Sequence, residues 1–202
     1  MDPVTFRPRG MAQVGASYDA KPVWDIGRPQ DAFVVLARNG AIQGKVLEVG
    51  CGTGELSLMA ASMGLEVLGV DASPVAIAKA EAKAKERALN AHFKVWNVLM
   101  LQALEEKFDT VLDCGLFHAL EDQDLTTFVS SLASVLRPGG RYLMLCFSDL
   151  QPGVFGPRRV TQDEIKSSFA TGWRVDAIEP SRFFTSMTPN GALSWLASIE
   201  KT

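Results

Sequence analysis

Two rhythms of apolar and polar residues alternate along this chain. Short apolar runs of strand length are separated by longer stretches with helical spacing. The run Ala32-Phe33-Val34-Val35-Leu36-Ala37 predicts a first helix that starts near Pro29 and stops at Asn39-Gly40. A strand is expected at about 45–49, a helix at about 54–63 ended by Gly64, and a second strand at about 66–70. Ser73 as N-cap and Pro74 at the first position then open a long alanine-rich helix. Its charges, among them the i,i+4 pair Glu81/Lys85, read as a solvated face. His92 to Trp96 and Phe108 to Asp113 read as the third and fourth strands. A helix from about Asp122 to Leu136 ends at Arg137-Pro138-Gly139-Gly140, and Arg141 to Phe147 forms the fifth strand. Thr161-Gln162-Asp163-Glu164 is close to a capping box and opens a short helix to about Ala170. Trp173 to Pro180 and Leu193 to Glu200 read as a terminal antiparallel pair. This order predicts an α/β protein with a mostly parallel sheet covered by helices on both faces.

Composition changes that picture little. A chain of 202 residues, 47% hydrophobic and 21% charged, fits one globular domain. Residues 1–20, broken by Pro3, Pro8, Gly10 and Gly15, read as a flexible N-terminal arm, and residues 21–202 as the single domain. The net charge of -3 gives no basic footprint for nucleic acid. No apolar run approaches the roughly 20 residues that span a bilayer, and Asp2, Pro3 and Arg7 do not begin a signal peptide. Cys51, Cys114 and Cys146 match neither a disulfide framework nor a metal cluster, and suit reduced thiols in a cytoplasmic protein. With no C-x-x-C pair and no spaced His/carboxylate set, no metal is expected.

The chemistry concentrates in Val46-Leu47-Glu48-Val49-Gly50-Cys51-Gly52-Thr53-Gly54, where an apolar strand runs into a glycine-rich turn and then a helix. Glycines let the turn tighten and let a ligand approach the backbone. Seventeen residues beyond Gly54, Asp71 ends the next apolar run, at a strand tip where a ribose diol could bond to it. Those features point to a nucleoside cofactor. Dinucleotide sites use G-x-G-x-x-G with a pyrophosphate on the helix N-terminus. Here the spacing is G-x-G-x-G, and Glu48 beside it would repel a pyrophosphate while suiting an ammonium.

E-V-G-C-G-T-G followed by G-V-D-A-S resembles motif I and the following acidic motif of class I S-adenosylmethionine-dependent methyltransferases. Pro22-Val23-Trp24-Asp25-Ile26-Gly27-Arg28-Pro29 resembles the N-terminal motif of the thiol, halide and thiopurine methyltransferases within that class. The resemblance spans roughly residues 18–202 and implies a doubly wound, Rossmann-like sheet of seven strands with a C-terminal antiparallel hairpin. It also implies S-adenosylmethionine as cofactor, S-adenosylhomocysteine as product and a small-molecule acceptor. In this sequence the loop Gly50, Cys51, Gly52, Thr53 and Gly54 would lie along the methionine part, and Glu48 near its amino group. Asp71 would take the ribose hydroxyls, and Ala72, Asn97 and Val98 would surround adenine. Many relatives have Asp at the Asn97 position; Asn also accepts through its side-chain oxygen. Cys114 would line the pocket beneath the sulfonium. Trp24 and Gly27 belong to the segment that folds over the cofactor, and Arg28 would reach the methionine carboxylate.

On the acceptor side, Asp113-Cys114-Gly115-Leu116-Phe117-His118 begins where the fourth strand ends. His118 is the first choice for a base or a substrate-orienting group, since its ordinary pKa of about 6.5 suits proton removal near neutrality. Phe117, Phe147 and Phe155 would wall the acceptor, Arg158 would bind an anionic acceptor or hold its loop down, and Tyr18 would reach in from the arm. The favoured activity is methyl transfer to a thiol, phenol or heterocycle. The alternatives are a non-catalytic S-adenosylmethionine-binding protein and a nucleotide-dependent oxidoreductase.

Overall fold

Among the described residues, seven strands form one sheet in the order β3-β2-β1-β4-β5-β7-β6. They are β1 (Val46–Val49), β2 (Val67–Asp71), β3 (His92–Val95), β4 (Phe108–Cys114), β5 (Leu136–Phe147), β6 (Trp173–Thr185) and β7 (Thr188–Lys201). This is a computed structural model, and it describes Tyr18, residues 21–154 and residues 156–202. The arm expected at residues 1–20, Tyr18 apart, and Phe155 therefore lie outside the described residues. The first five strands pair in parallel, and β7 runs antiparallel between β5 and β6. The expected doubly wound sheet with its terminal hairpin is what forms, as a mixed sheet.

Helices α1 (Asp31–Arg38), α2 (Glu55–Ser62), α3 (Pro74–Glu86), α4 (Asp122–Val135) and α5 (Gln162–Ser168) cover the faces. Strand side chains alternate between faces, so neighbouring residues enter different cores. Leu47 and Val49 pack with Phe128 and Leu132 of α4, while Val46 packs with Phe33 of α1 and Leu56 of α2. Each such buried side chain contributes about 1.5–3 kcal/mol. The caps form where expected: the Ser73 hydroxyl accepts from Ala76 N with Pro74 at the first position, and Thr161 accepts from Glu164 N. Among the described residues, no helix is long and apolar enough to cross a membrane.

Three segments differ from the sequence expectation. A 3-10 run, Val98–Leu104, follows β3 and buries Val98, Leu99, Leu101 and Leu104. β5 begins at Leu136, and its pairing with β4 jumps from Phe108↔Leu136 to Thr110↔Arg141, so Arg137-Pro138-Gly139-Gly140 bulges out of the ladder. The terminal strands run on to Thr185↔Thr188 instead of stopping at Pro180. β6 is the sheet edge, where a proline interrupts no second ladder. That extra length carries Phe183 to the C-terminal ends of β1 and β4, the crevice where the strand order reverses and ligands bind in such sheets.

Candidate active site

A cavity of about 1130 Å³ opens along the C-terminal ends of β1, β2 and β4. Carboxylates stand at those three ends, and backbone N–H groups hold each one. Glu48 accepts from Ser57 N at 2.7 Å and from the Ser57 hydroxyl, pinning β1 to α2. Asp71 accepts from Gly52 N at 2.9 Å and Ser73 N at 2.8 Å, fixing the glycine turn against β2. Asp113 accepts from Leu116 N at 2.8 Å, Phe117 N at 3.1 Å and the Tyr142 hydroxyl at 2.6 Å. Burial raises all three pKa values against the pull of these donors, to about 8 for Glu48 and about 7 for Asp113.

The glycine turn is close-packed. A Cβ on Gly52 would come within 2.9 Å of the Tyr18 hydroxyl. One on Gly54, at φ +83°, would sit 2.8 Å from the Phe93 ring and 2.9 Å from Ala80. Gly54 is thus required by packing against α3 and β3, and Gly52 by what lies over the turn. Gly50, Cys51, Gly52, Thr53 and Gly54 all line the cavity, as do Ala72, Asn97, Val98 and Cys114. Asn97 caps the 3-10 run, its side-chain oxygen accepting from Leu99 N at 3.0 Å, which occupies one of the two lone pairs expected to face adenine.

The Trp24 segment bridges both ends of the cavity. Asp25 accepts from Gly27 N at 3.1 Å and from the Thr53 hydroxyl at 3.0 Å, and Lys83 donates to the same Thr53 oxygen at 2.7 Å. Ser186 N donates to Val23 O at 2.8 Å, and the buried Gln30 amide bonds both Phe184 O and Phe184 N at 2.8 Å. Trp24, 37% exposed, stands edge-on to Tyr18 at 6.4 Å and lines the mouth. Asp25 and Gln30 carry this bridge and were not singled out from sequence; Asp25 lies inside the Trp24-Arg28 motif, whereas Gln30 has no local signal.

On the acceptor side, His118, Phe147 and Phe183 form a ring cluster beside Cys114 and Gly115. His118 meets Phe147 edge-on at 5.1 Å and Phe183 at 5.8 Å, and the two phenylalanines are 5.4 Å apart. A Cβ on Gly115 would lie 3.1 Å from the Phe183 ring and 3.2 Å from His118 Nε2, so the chamber floor has no room for a side chain. His118 Nδ1 accepts from Phe147 N at 2.9 Å. Burial first, then the charges of Arg158 and Arg159, push the His118 pKa down to about 3. The ring is therefore neutral with its proton on Nε2. Phe183 lies beyond the strand end that Pro180 suggests in the sequence, on the part of β6 that pairs on to Thr185.

Phe117 and Gly27 lie off the cavity, while Tyr18, Arg28 and Arg158 line it and carry bonds of their own, Arg158 in the second of its two expected roles. Tyr18 is buried against Gly52 and near Asp71, on the cofactor side and not the acceptor side. Phe117 is fully buried against Phe169 at 6.1 Å, in the core and off the cavity wall, because its neighbour His118 takes the inward position of the short turn. Arg158 donates to Leu120 O and Phe117 O, each at 3.2 Å, and pairs with Glu164, which makes it a brace for its loop. Arg28 lines the cavity, pairs with Asp31 and lies over Phe184 at 5.6 Å. Gly27 is a left-handed turn residue at φ +71° that does not line the cavity.

The donor set fits S-adenosylmethionine. Asp25 and Asp71 line the glycine-turn end with Glu48 behind them, acidic groups that favour a cationic ligand and oppose a pyrophosphate. Among the described residues, no group of three or more His, Cys, Asp or Glu is placed to hold a metal ion.

Comparison with known proteins agrees. Residues 46–140 match a family model described as a methyltransferase domain. The 2-heptyl-1-hydroxyquinolin-4(1H)-one methyltransferase of Mycobacteroides abscessus is 33% identical over 168 residues, covering 82% of this chain and 74% of that protein. A structure described under the conversion of a disulfide bond into a thioacetal group during echinomycin biosynthesis superposes with a TM-score of 0.83. It is 35% identical and covers 95% of this chain and 91% of the other. Magnesium protoporphyrin IX methyltransferase from Synechocystis, with bound SAM, shares the fold at a TM-score of 0.72 and 19% identity, over 97% of this chain and 99% of its own. The oxidoreductase and non-catalytic alternatives fall with these matches, and the chain belongs to the class I S-adenosylmethionine-dependent methyltransferases.

Proposed function

We propose that this enzyme methylates an oxygen or sulfur atom on a small aromatic or heterocyclic compound. The observation that supports this reading most is the ring cluster of His118, Phe147 and Phe183 around the bare Gly115 floor. Flat rings pack edge-on or offset against such a cluster, each contact contributing about 0.5–1.5 kcal/mol beyond area burial. The chamber is walled by the sheet and by the Trp24 segment, which supports a small-molecule acceptor. The hydroxyquinolinone named for the Mycobacteroides abscessus relative is a compound of this class. On the Trp24-Asp25-Ile26-Gly27-Arg28 segment we group the enzyme with the thiol, halide and thiopurine methyltransferases, and on its three free cysteines we place it in the cytoplasm.

S-adenosylmethionine, when bound, supplies an electrophilic methyl group on a sulfonium. Of the residues lining the cavity, Asp71 would hold the ribose hydroxyls, Ala72 and Val98 would flank adenine, and the Gly50–Gly54 turn would follow the methionine part with Glu48 beneath it. Cys114 and Gly115 mark the boundary between cofactor and acceptor. The ring cluster orients the acceptor toward that boundary and keeps water out. Orientation of this kind can contribute about 7–11 kcal/mol in favourable cases.

The test is S-adenosylhomocysteine release across aromatic thiols, phenols, hydroxylated heterocycles, aliphatic thiols and halides. Turnover concentrated on ring compounds bearing OH or SH supports the proposal. Turnover on halides or aliphatic thiols alone contradicts it.

A further inference from the structure

The acceptor chamber contains a histidine that cannot act as a base without breaking its own anchor. Phe147 N donates to His118 Nδ1 at 2.9 Å, so the neutral ring carries its proton on Nε2. To take a proton from an acceptor, Nε2 would first have to lose the one it has. Nδ1 would then need a proton facing the Phe147 N–H, two donors head to head. Nε2–H lies beside the Gly115 floor, 3.2 Å from a Cβ built there, on a ring that lines the cavity. It is a donor on the wall of the chamber that the acceptor enters.

Among the described residues, the other titratable groups around the chamber do not supply a base. Cys114 at the β4 tip is held as a neutral thiol by burial and by Glu48 and Asp113 behind it. Glu48 and Asp113 are themselves committed to Ser57 and to Leu116, Phe117 and Tyr142. Glu121 and Asp122 stand at the mouth, where Asp122 is exposed and faces Arg158. Asp25 and Arg28, from the N-terminal segment, are bonded to Thr53 and Asp31. The loop after β5 adds positive charge. Arg158 lies over the Phe117 ring at 5.4 Å and Arg159 over the Phe147 ring at 5.3 Å. Both guanidiniums disfavour a positive charge on His118. Glu164 pairs with Arg158 and offsets part of this field; what remains favours a negative charge on anything bound against that ring.

We propose that the chamber takes its acceptor as an anion, with His118 Nε2–H and the field of Arg158 and Arg159 in place of a base, so that the enzyme selects O- and S-acceptors by their acidity. This deepens the proposed function and rests on it. The acceptor leaves its proton in bulk water before or on entry. Its anionic lone pair forms the new bond to the methyl carbon, the pair of the broken carbon–sulfur bond passes to sulfur, and a neutral methyl ether or thioether and a neutral sulfide result. No co-reactant beyond acceptor and cofactor is needed.

The experiment uses the full-length enzyme and a series of substituted phenols and thiophenols, with kcat/KM measured against pH for each. Acceptors whose pKa values differ by about two units should give inflections about two units apart. A second readout is the absorbance of 4-nitrophenol bound to the protein with S-adenosylhomocysteine, where methyl transfer is impossible; the phenolate band should appear at a lower pH than in buffer. His118→Gln, which keeps both an acceptor for Phe147 N and a donor, should retain most activity. His118→Leu should raise acceptor KM roughly 10- to 150-fold, the range for a hydrogen bond to a charged group. An inflection at one pH whatever the acceptor, or loss of activity in His118→Gln equal to that in His118→Leu, overturns the inference while leaving methyl transfer intact. Failure of every acceptor at every pH instead overturns the proposed function on which it rests.

Discussion

The cofactor end and the acceptor end of this cavity are built by different means. At the cofactor end the backbone does the holding. The Asp71 carboxylate fixes Gly52 N and Ser73 N, and the Gly54 position is filled to contact by Phe93 and Ala80. At the acceptor end, side-chain rings form the wall, and distant segments hold it together. Gln30 clasps Phe184, Phe147 N fixes the tautomer of His118, and Arg158 braces the turn through Leu120 O and Phe117 O. The comparison teaches how one fold serves many acceptors. A backbone cradle tolerates little change, whereas a wall of side chains on the terminal strands and loops can be altered without disturbing the cofactor.

Three substitutions or conditions probe that division. The largest effect is expected at Gly54→Ala. Overpacking against Phe93 and Ala80 costs about 1–3 kcal/mol, and the left-handed backbone adds about 1–2 kcal/mol. Chemical denaturation should show this loss; unchanged stability would mean the turn is loose and the contrast false. Next is Phe183→Leu, which keeps an apolar side chain but removes a ring. Steady-state kinetics should show acceptor KM raised up to about tenfold, the equivalent of one ring pair, with S-adenosylmethionine affinity unchanged. A parallel loss of cofactor affinity would join the two ends.

The third test is the pH dependence of stability, where the two ends oppose one another. Glu48 is raised by burial to about 8, from an ordinary 4.5. Its contribution is complete below 4.5 and is lost as pH rises through about 8. His118 is lowered by burial and the neighbouring arginines to about 3, from 6.5. Its neutral form favours folding above 6.5, and that advantage is lost as pH falls toward 3, because the unfolded chain takes up the proton first. Thermal melts of the cofactor-free protein should therefore be less alkali-sensitive in Glu48→Gln, with Asp113 and Asp71 supplying the remainder, and less acid-sensitive in His118→Gln. The opposite assignment would contradict the burial argument.

The same division decides what the sequence revealed. The glycine turn, Asp71, and the Ser73-Pro74 cap lie within one contiguous stretch, and their chemistry needs only that spacing, so they were readable. The acceptor wall depends on contacts that spacing does not encode. Gln30 meets Phe184 from the other end of the chain. Phe183 reaches the site only because an edge strand tolerates Pro180. Phe117 and His118 are adjacent, yet the short turn sends one into the core and the other into the chamber. Arg28 has the right charge for a carboxylate but is paired with Asp31, and the donors of Arg158 go to Glu164 and to backbone oxygens, so its charge and not its hydrogen bonds reaches the chamber. A side chain's prior commitments become visible only in three dimensions.

The central claim is that the tips of β1 and β2 grip the cofactor independently of the acceptor wall. Calorimetric titration of S-adenosylmethionine into wild type, Asp71→Ala and Phe183→Leu tests it most directly. Wild type and Phe183→Leu should bind alike, with Asp71→Ala weaker by about 1–3 kcal/mol through the lost hydrogen bonds to a charged group. Equal affinity in all three proteins would contradict the account.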